Sequence, residues 1–188
     1  NDEKLIGHML THPRLLMLFS KVRIQIPSLF AASWGSTTPY KLGDKAVKYA
    51  VMPSIPPNEA MPQDPSHDYL RERMAATLKE RDVLLDFFVQ VQVDAEKMPI
   101  EDPRVVREQE LSPFVKVATI KVLKQEFDTS EQHLYGDQLS FTPWHALPDH
   151  RPLGGINRGR KIIYETMSEF RHTNNNEVSA EPIDSITF

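Results

Sequence analysis

Cysteine is absent from the 188 residues. That excludes disulfides, thiolate metal sites and cysteine nucleophiles. It permits a reducing compartment and favours a cytoplasmic location. An excess of positive charge is absent too. The 22 basic and 26 acidic residues leave a net charge of −4, so there is no electrostatic case for nucleic acid or for an anionic membrane. No apolar run approaches the roughly 20 residues that cross a bilayer. The opening "NDEKLIGHML" is too polar for a signal peptide. An initiator methionine is also missing, because the chain starts at Asn1. A processed product or a part of a longer protein is therefore expected.

What is present suffices for one domain with a real core, at 40% hydrophobic residues. Residues 4–20 read as a helix broken by Pro13. Residues 28–39 read as a loop. "DKAVKYAVM" (44–52) is a predicted strand, and "PSIPPNEAMPQDPS" (53–66) is a connector with five prolines. Residues 67–81 form a helix with a Leu70, Met74, Leu78 stripe. "LLDFFVQVQV" (84–93) alternates: Leu85, Phe87, Val89, Val91 and Val93 share one face, and Asp86, Phe88, Gln90 and Gln92 the other. A Pro-punctuated connection (98–113) leads to a third strand, 114–125. Loops and helices follow to about His172. The tail, 173–188, has no periodicity and is expected to be mobile. The fold class is α+β. Strands apolar on both faces need cover on both sides, so the chain holds part of a larger β-structure.

"GINRGRKIIYETMSEFRH" (155–172) reads as one helix. Arg160 and Tyr164 are four residues apart, and Arg171 lies seven beyond Tyr164. All three share a face with Asn157. A free tyrosine has a pKa of roughly 10, yet as a ligand of ferric iron it must be a phenolate. A guanidinium one turn earlier favours that form by charge and hydrogen bonding. Arg171 lies about 10 Å further along the axis, within reach of a carboxylate on the rim of a large planar cofactor. A solvated Arg–Tyr–Arg face is the ordinary alternative, and spacing alone favours it.

Other groupings are weaker. His8 and His12 have a metal-compatible spacing, but Pro13 follows and no third ligand is evident. His145, Asp149 and His150 with Ser140 lack a nucleophile elbow. Gly154-Gly155 before a helix could meet an anion, but a simple turn is the commoner use. Trp34 and Trp144 read as packing anchors.

The order of segments resembles the catalase superfamily, in particular its small catalase-related haem proteins. The landmarks are "LGDKAVKYAVMP", "FFVQVQVDAEKMPIEDP", the stretch from "ELSPFVKVATIKVLKQ" to "FTPWHALPDHRPLG", and the closing "GGINRGRKIIYE". The resemblance spans about residues 15–172. It implies a partial antiparallel catalase-type β-barrel with C-terminal helices, a haem b cofactor and a peroxide substrate. The Arg-x-x-x-Tyr pattern of the family falls on Arg160 and Tyr164. The resemblance thus makes Tyr164 the proximal iron ligand, Arg160 the stabiliser of its phenolate and Arg171 a propionate partner. It implies a catalase or peroxidase reaction with hydrogen peroxide or an organic hydroperoxide, or a fatty-acid hydroperoxide lyase or isomerase. A non-catalytic haem- or lipid-binding module is the rival from another class. Larger catalases carry a histidine where Ser168 stands. None of the seven histidines matches the family's distal histidine, which the resemblance places on strands N-terminal to this chain. No catalytic residue is therefore assigned here. Residues 1–172 are expected to be the C-terminal portion of the haem domain, with no expectation for the oligomeric state.

Overall fold

The computed structural model describes Thr11 and residues 25–55 and 58–180. The expected broken helix at 4–20, the pair His8 and His12, and residues 181–188 of the tail lie outside these.

Three strands fall where the sequence predicts them. In chain order the strands are β1 (Trp34–Gly35), β2 (Tyr40–Leu42), β3 (Lys45–Pro53), β4 (Val83–Val91) and β5 (Val115–Val122). The α-helices among the described residues are α1 (Tyr69–Glu80), α2 (Ser130–Gln138) and α3 (Gly155–Asn175). All strand pairings are antiparallel: β3 pairs with β4, β4 with β5, and both short strands pair along the other side of β3. Among the described residues the sheet does not close. The fold is thus α+β with an open antiparallel sheet, as expected.

β1 and β2 are corrections to the sequence reading, which made 28–39 a loop and did not recognise 40–42. Their two and three residues lack an alternation of their own. They become strands by pairing with β3, Trp34 opposite Val51 and Tyr40 opposite Val47. Gly43, at φ 57°, makes the tight turn from β2 into β3. Val93, expected on the same strand face as Leu85 and Val91, lies beyond the strand end and is exposed. A bulge leaves Val117 without a partner, because Phe87 faces Ala118 while Phe88 faces Lys116.

The core is built where α1 meets the sheet. Leu78 of the expected stripe packs with Phe30 and Val83, with Met74, Leu85, Val122 and Phe127 around them. On one sheet face Tyr49 stacks on Phe87 at 5.2 Å between ring centroids and meets Tyr40 at 5.4 Å. On the other, Gln90 is buried. Its carboxamide donates to the main-chain oxygens of Arg107 and Ser112 and so ties down the 98–113 connection. In β5, by contrast, only Val122 is shielded from solvent.

Candidate functional site

The candidate site sits on α3, and its geometry begins at the N-terminus of that helix. Gly154 precedes it with φ 87° and ψ 164°, a region open essentially to glycine alone. A Cβ there would lie 2.8 Å from the Ile100 oxygen. The Gly155 N–H donates to a Glu101 carboxylate oxygen at 2.8 Å, and Arg158 binds both oxygens of the same carboxylate at 3.0 Å. The helix N-terminus therefore does meet an anion, supplied by the chain itself. These hydrogen bonds, Arg158 foremost, hold the Glu101 carboxyl below its ordinary value.

One turn on, Asn157 is fully buried. Its Nδ2 donates to the Pro39 oxygen at 2.9 Å and to the Leu153 oxygen at 2.8 Å. Its Oδ1 accepts from Thr38 Oγ1 at 3.1 Å and from Arg160 Nη1 at 3.2 Å. The donor and acceptor capacity of the carboxamide is thereby used up. Trp144 donates from Nε1 to the Asn157 main-chain oxygen at 2.8 Å, and Lys161 lies over its ring. Trp144 thus acts as the expected anchor. Trp34 does not, since about half of it is exposed.

Arg160, held on one side by Asn157 and Thr38, extends its other terminal nitrogen to the Tyr164 hydroxyl oxygen at 3.1 Å. The guanidinium carbon is 5.2 Å from the Tyr164 ring centroid. The hydrogen bond to Tyr164, with smaller contributions from Tyr40, raises Arg160 above its ordinary value and keeps it charged. The Tyr164 side is open. A cleft of about 480 Å³ runs between α3 and the 140–145 segment, lined by Phe141, His145, Tyr164 and Ser168 among others. A second cleft of about 410 Å³, which shares Tyr164 and Phe141, reaches Met167, Phe170 and Arg171. Ile163, Met167, Phe170 and Phe141 all expose apolar surface around the tyrosine.

Arg171 takes a different part. Both of its terminal nitrogens donate to main-chain oxygens at the end of α2, Nη1 to Asp137 and Nη2 to Leu139, the latter at 2.6 Å. It joins α2 to α3. The helix itself runs to Asn175, three residues past the expected boundary, and ends on Asn176 in the left-handed region.

The remaining groupings do not assemble. The Ser140 hydroxyl is 2.5 Å from that of Ser168, and Asp149 pairs with Lys41 at 3.5 Å, so Ser140 and Asp149 have other partners. Among the described residues no three His, Cys, Asp or Glu side chains cluster for a metal ion. No helix among them is long and apolar enough to cross a membrane.

Neither a family model nor a curated protein matches the chain. Solved structures do. A fungal catalase and catalase A from Saccharomyces cerevisiae each superpose with a TM-score of 0.62 at 15% identity, over 77% of this chain. The chain is similar to 32% of the length of each. At that identity the likeness shows the fold, which is catalase-like.

Proposed function

We propose that α3 presents the proximal side of a haem site, with Tyr164 as the iron ligand and Arg160 as the donor to its oxygen. The observation that carries this reading is the 3.1 Å contact from Arg160 to Tyr164 on a ring shared by two open clefts, one edged by Phe141, Met167 and Phe170 and the other lined mostly by polar side chains that include Glu165 and Glu169. The residues fit the group. The tyrosine oxygen is oriented by a fixed cation, and the apolar surface of Met167, Phe170 and Phe141 suits a flat macrocycle. Bound haem would supply redox chemistry toward hydrogen peroxide or an organic hydroperoxide. The part played by this chain is to hold an anionic oxygen at one place. Arg160 stays protonated at any ordinary pH, and its N–H bond to Tyr164 strengthens when that oxygen is a phenolate. Asn157 and Thr38 keep the guanidinium aimed.

Arg171 is proposed as a propionate partner with a condition attached. Its terminal nitrogens serve two carbonyls, so it would meet a carboxylate by sharing those hydrogen bonds.

Catalase-like turnover is proposed for the complete protein, since the chain spans about a third of the catalases it resembles. A non-catalytic binding module is the second reading, favoured by the apolar surface that β5 leaves exposed at Val115, Val117 and Ile120. Haem titration of the purified protein tests the site. A high-spin ferric spectrum with a tyrosinate charge-transfer band is expected, and Tyr164→Phe should abolish it. An unchanged spectrum in that variant refutes the assignment. Peroxide turnover by the haem-loaded protein then separates an enzyme from a binding module.

A further inference from the structure

Away from α3, one cation is buried without any counterpart. Arg107 is only 6% exposed, and Nε, Nη1 and Nη2 all lack a hydrogen-bond partner among the described residues. Arginine cannot shed its proton to escape such a site, and a buried charge demands a partner. Burial pushes Arg107 below its ordinary value.

A second cation stands nearby. Lys48 is the cross-strand partner of Gln90 and shares its sheet face. The carboxamide of Gln90 holds the main-chain oxygen of Arg107 at 3.1 Å, so Arg107 is tethered over that same face. Burial and then the charge of Arg107 push Lys48 down. Lys48 also lines a narrow cleft beside Pro99, Ile100 and Pro103, which Glu101 and Asp102 line too and Arg107 does not. Three acids on or beside the connection have other partners, and Glu108 and Glu110 are exposed to solvent. Glu101 binds Arg158, Asp102 binds Arg104, and Asp94 binds Lys97 and the amides of residues 96 and 97.

We propose that Arg107 and Lys48 form a binding site for a small oxyanion of the phosphate, sulfate or carboxylate class. The guanidinium fork suits two oxygens of one such anion, and the ammonium adds a point charge. The buried polar hydrogen bonds of Gln90 and Ser112 fix the connection that carries Arg107.

The test is thermal unfolding of the purified protein titrated with phosphate, against chloride at equal ionic strength, with an acetate arm to separate carboxylate from phosphate preference. A saturable rise in midpoint with phosphate or acetate, beyond that with chloride, is expected. Arg107→Met should weaken the apparent affinity by about ten-fold or more, and Lys48→Met by a smaller factor. Lys48→Met alters a half-buried side chain and serves as the second variant if Arg107→Met fails to fold. Responses to phosphate and acetate that match chloride overturn the proposal. So does a full response retained in Arg107→Met, or, where that variant does not fold, in Lys48→Met.

Discussion

Replacing Asn157 by alanine removes four side-chain hydrogen bonds from a fully buried position. Three of the partners keep other contacts. Thr38 Oγ1 also lies 3.2 Å from the Ser36 oxygen, and Arg160 retains Tyr164. The Pro39 carbonyl loses one of two donors and keeps the Leu153 N–H at 2.9 Å, whereas the Leu153 carbonyl loses the Asn157 donor. An unsatisfied buried polar group costs about 1–3 kcal/mol, and each other lost hydrogen bond about 0.5–1.5 kcal/mol. The expected loss is therefore about 2–4 kcal/mol. For a domain of this size each kcal/mol lowers Tm by about 2–4 °C, which makes the drop on the order of 4–16 °C. Urea unfolding measures it directly. The midpoint should fall while the slope stays constant, because the surface exposed on unfolding is the same. Asn157→Asp keeps the shape and the acceptor but turns a carboxylate oxygen toward the two carbonyls. It should also destabilise, although the added charge faces Arg160. A loss below about 1 kcal/mol for Asn157→Ala would refute the reasoning, since it would mean that the buried carboxamide holds nothing together.

Gly154→Ala should destabilise by about 2–3 kcal/mol, from a backbone region closed to other residues and from the approach to the Ile100 oxygen. Gly43→Ala, where φ is 57° but no atom lies within 4 Å, should cost only about 1–2 kcal/mol. Equal midpoints for the two variants in urea would contradict the close contact. Acid should loosen the start of α3. The folded-state pKa of Glu101 lies below its ordinary value of 4.5, so below that value the unfolded chain binds more protons. The contribution is complete above the ordinary value and is lost as pH falls through the depressed one. Glu101→Gln should thus flatten the decline in urea midpoint between about pH 6 and about pH 3, and an equally steep decline in the variant would show that the pairing adds nothing.

What could be read in the sequence divides by the range of the forces involved. β4 was legible because alternation is a local property, and its boundaries shifted by one and two residues, from 84–93 to Val83–Val91. The Arg160–Tyr164 contact was legible because four residues span one helical turn. β2 was not, because it exists through pairing with β3. Asn157 was visible only as a member of a helical row. Its importance comes from Thr38 and Pro39, 119 and 118 residues away in the chain, and no spacing within α3 announces them. Arg171 could be placed on the right face, but its engagement with the end of α2 depends on a tertiary contact 32 to 34 residues distant. Arg107 gave no signal at all, because a single arginine in a polar connection reads as solvated.

These long-range contacts also explain how an open sheet can carry the proposed site. Among the described residues β5 has an unpaired edge and, apart from Val122, exposed side chains, so it confers little restraint on anything beyond β4. Tyr164 does not depend on it. The position of the tyrosine oxygen is set by a helix fixed at its first residue by Glu101, on its inner side by Asn157 against the 38–39 segment, and in its last turns by Arg171 against α2. Each restraint acts on α3 itself, and a helix transmits displacement along its axis far more stiffly than a loop does. The Arg160–Tyr164 geometry should consequently respond to Asn157 and Glu101 more strongly than to substitutions of equal size in β5. If Val117→Ala perturbed the tyrosinate band of the haem-loaded protein as much as Asn157→Ala, the site would instead depend on the sheet edge.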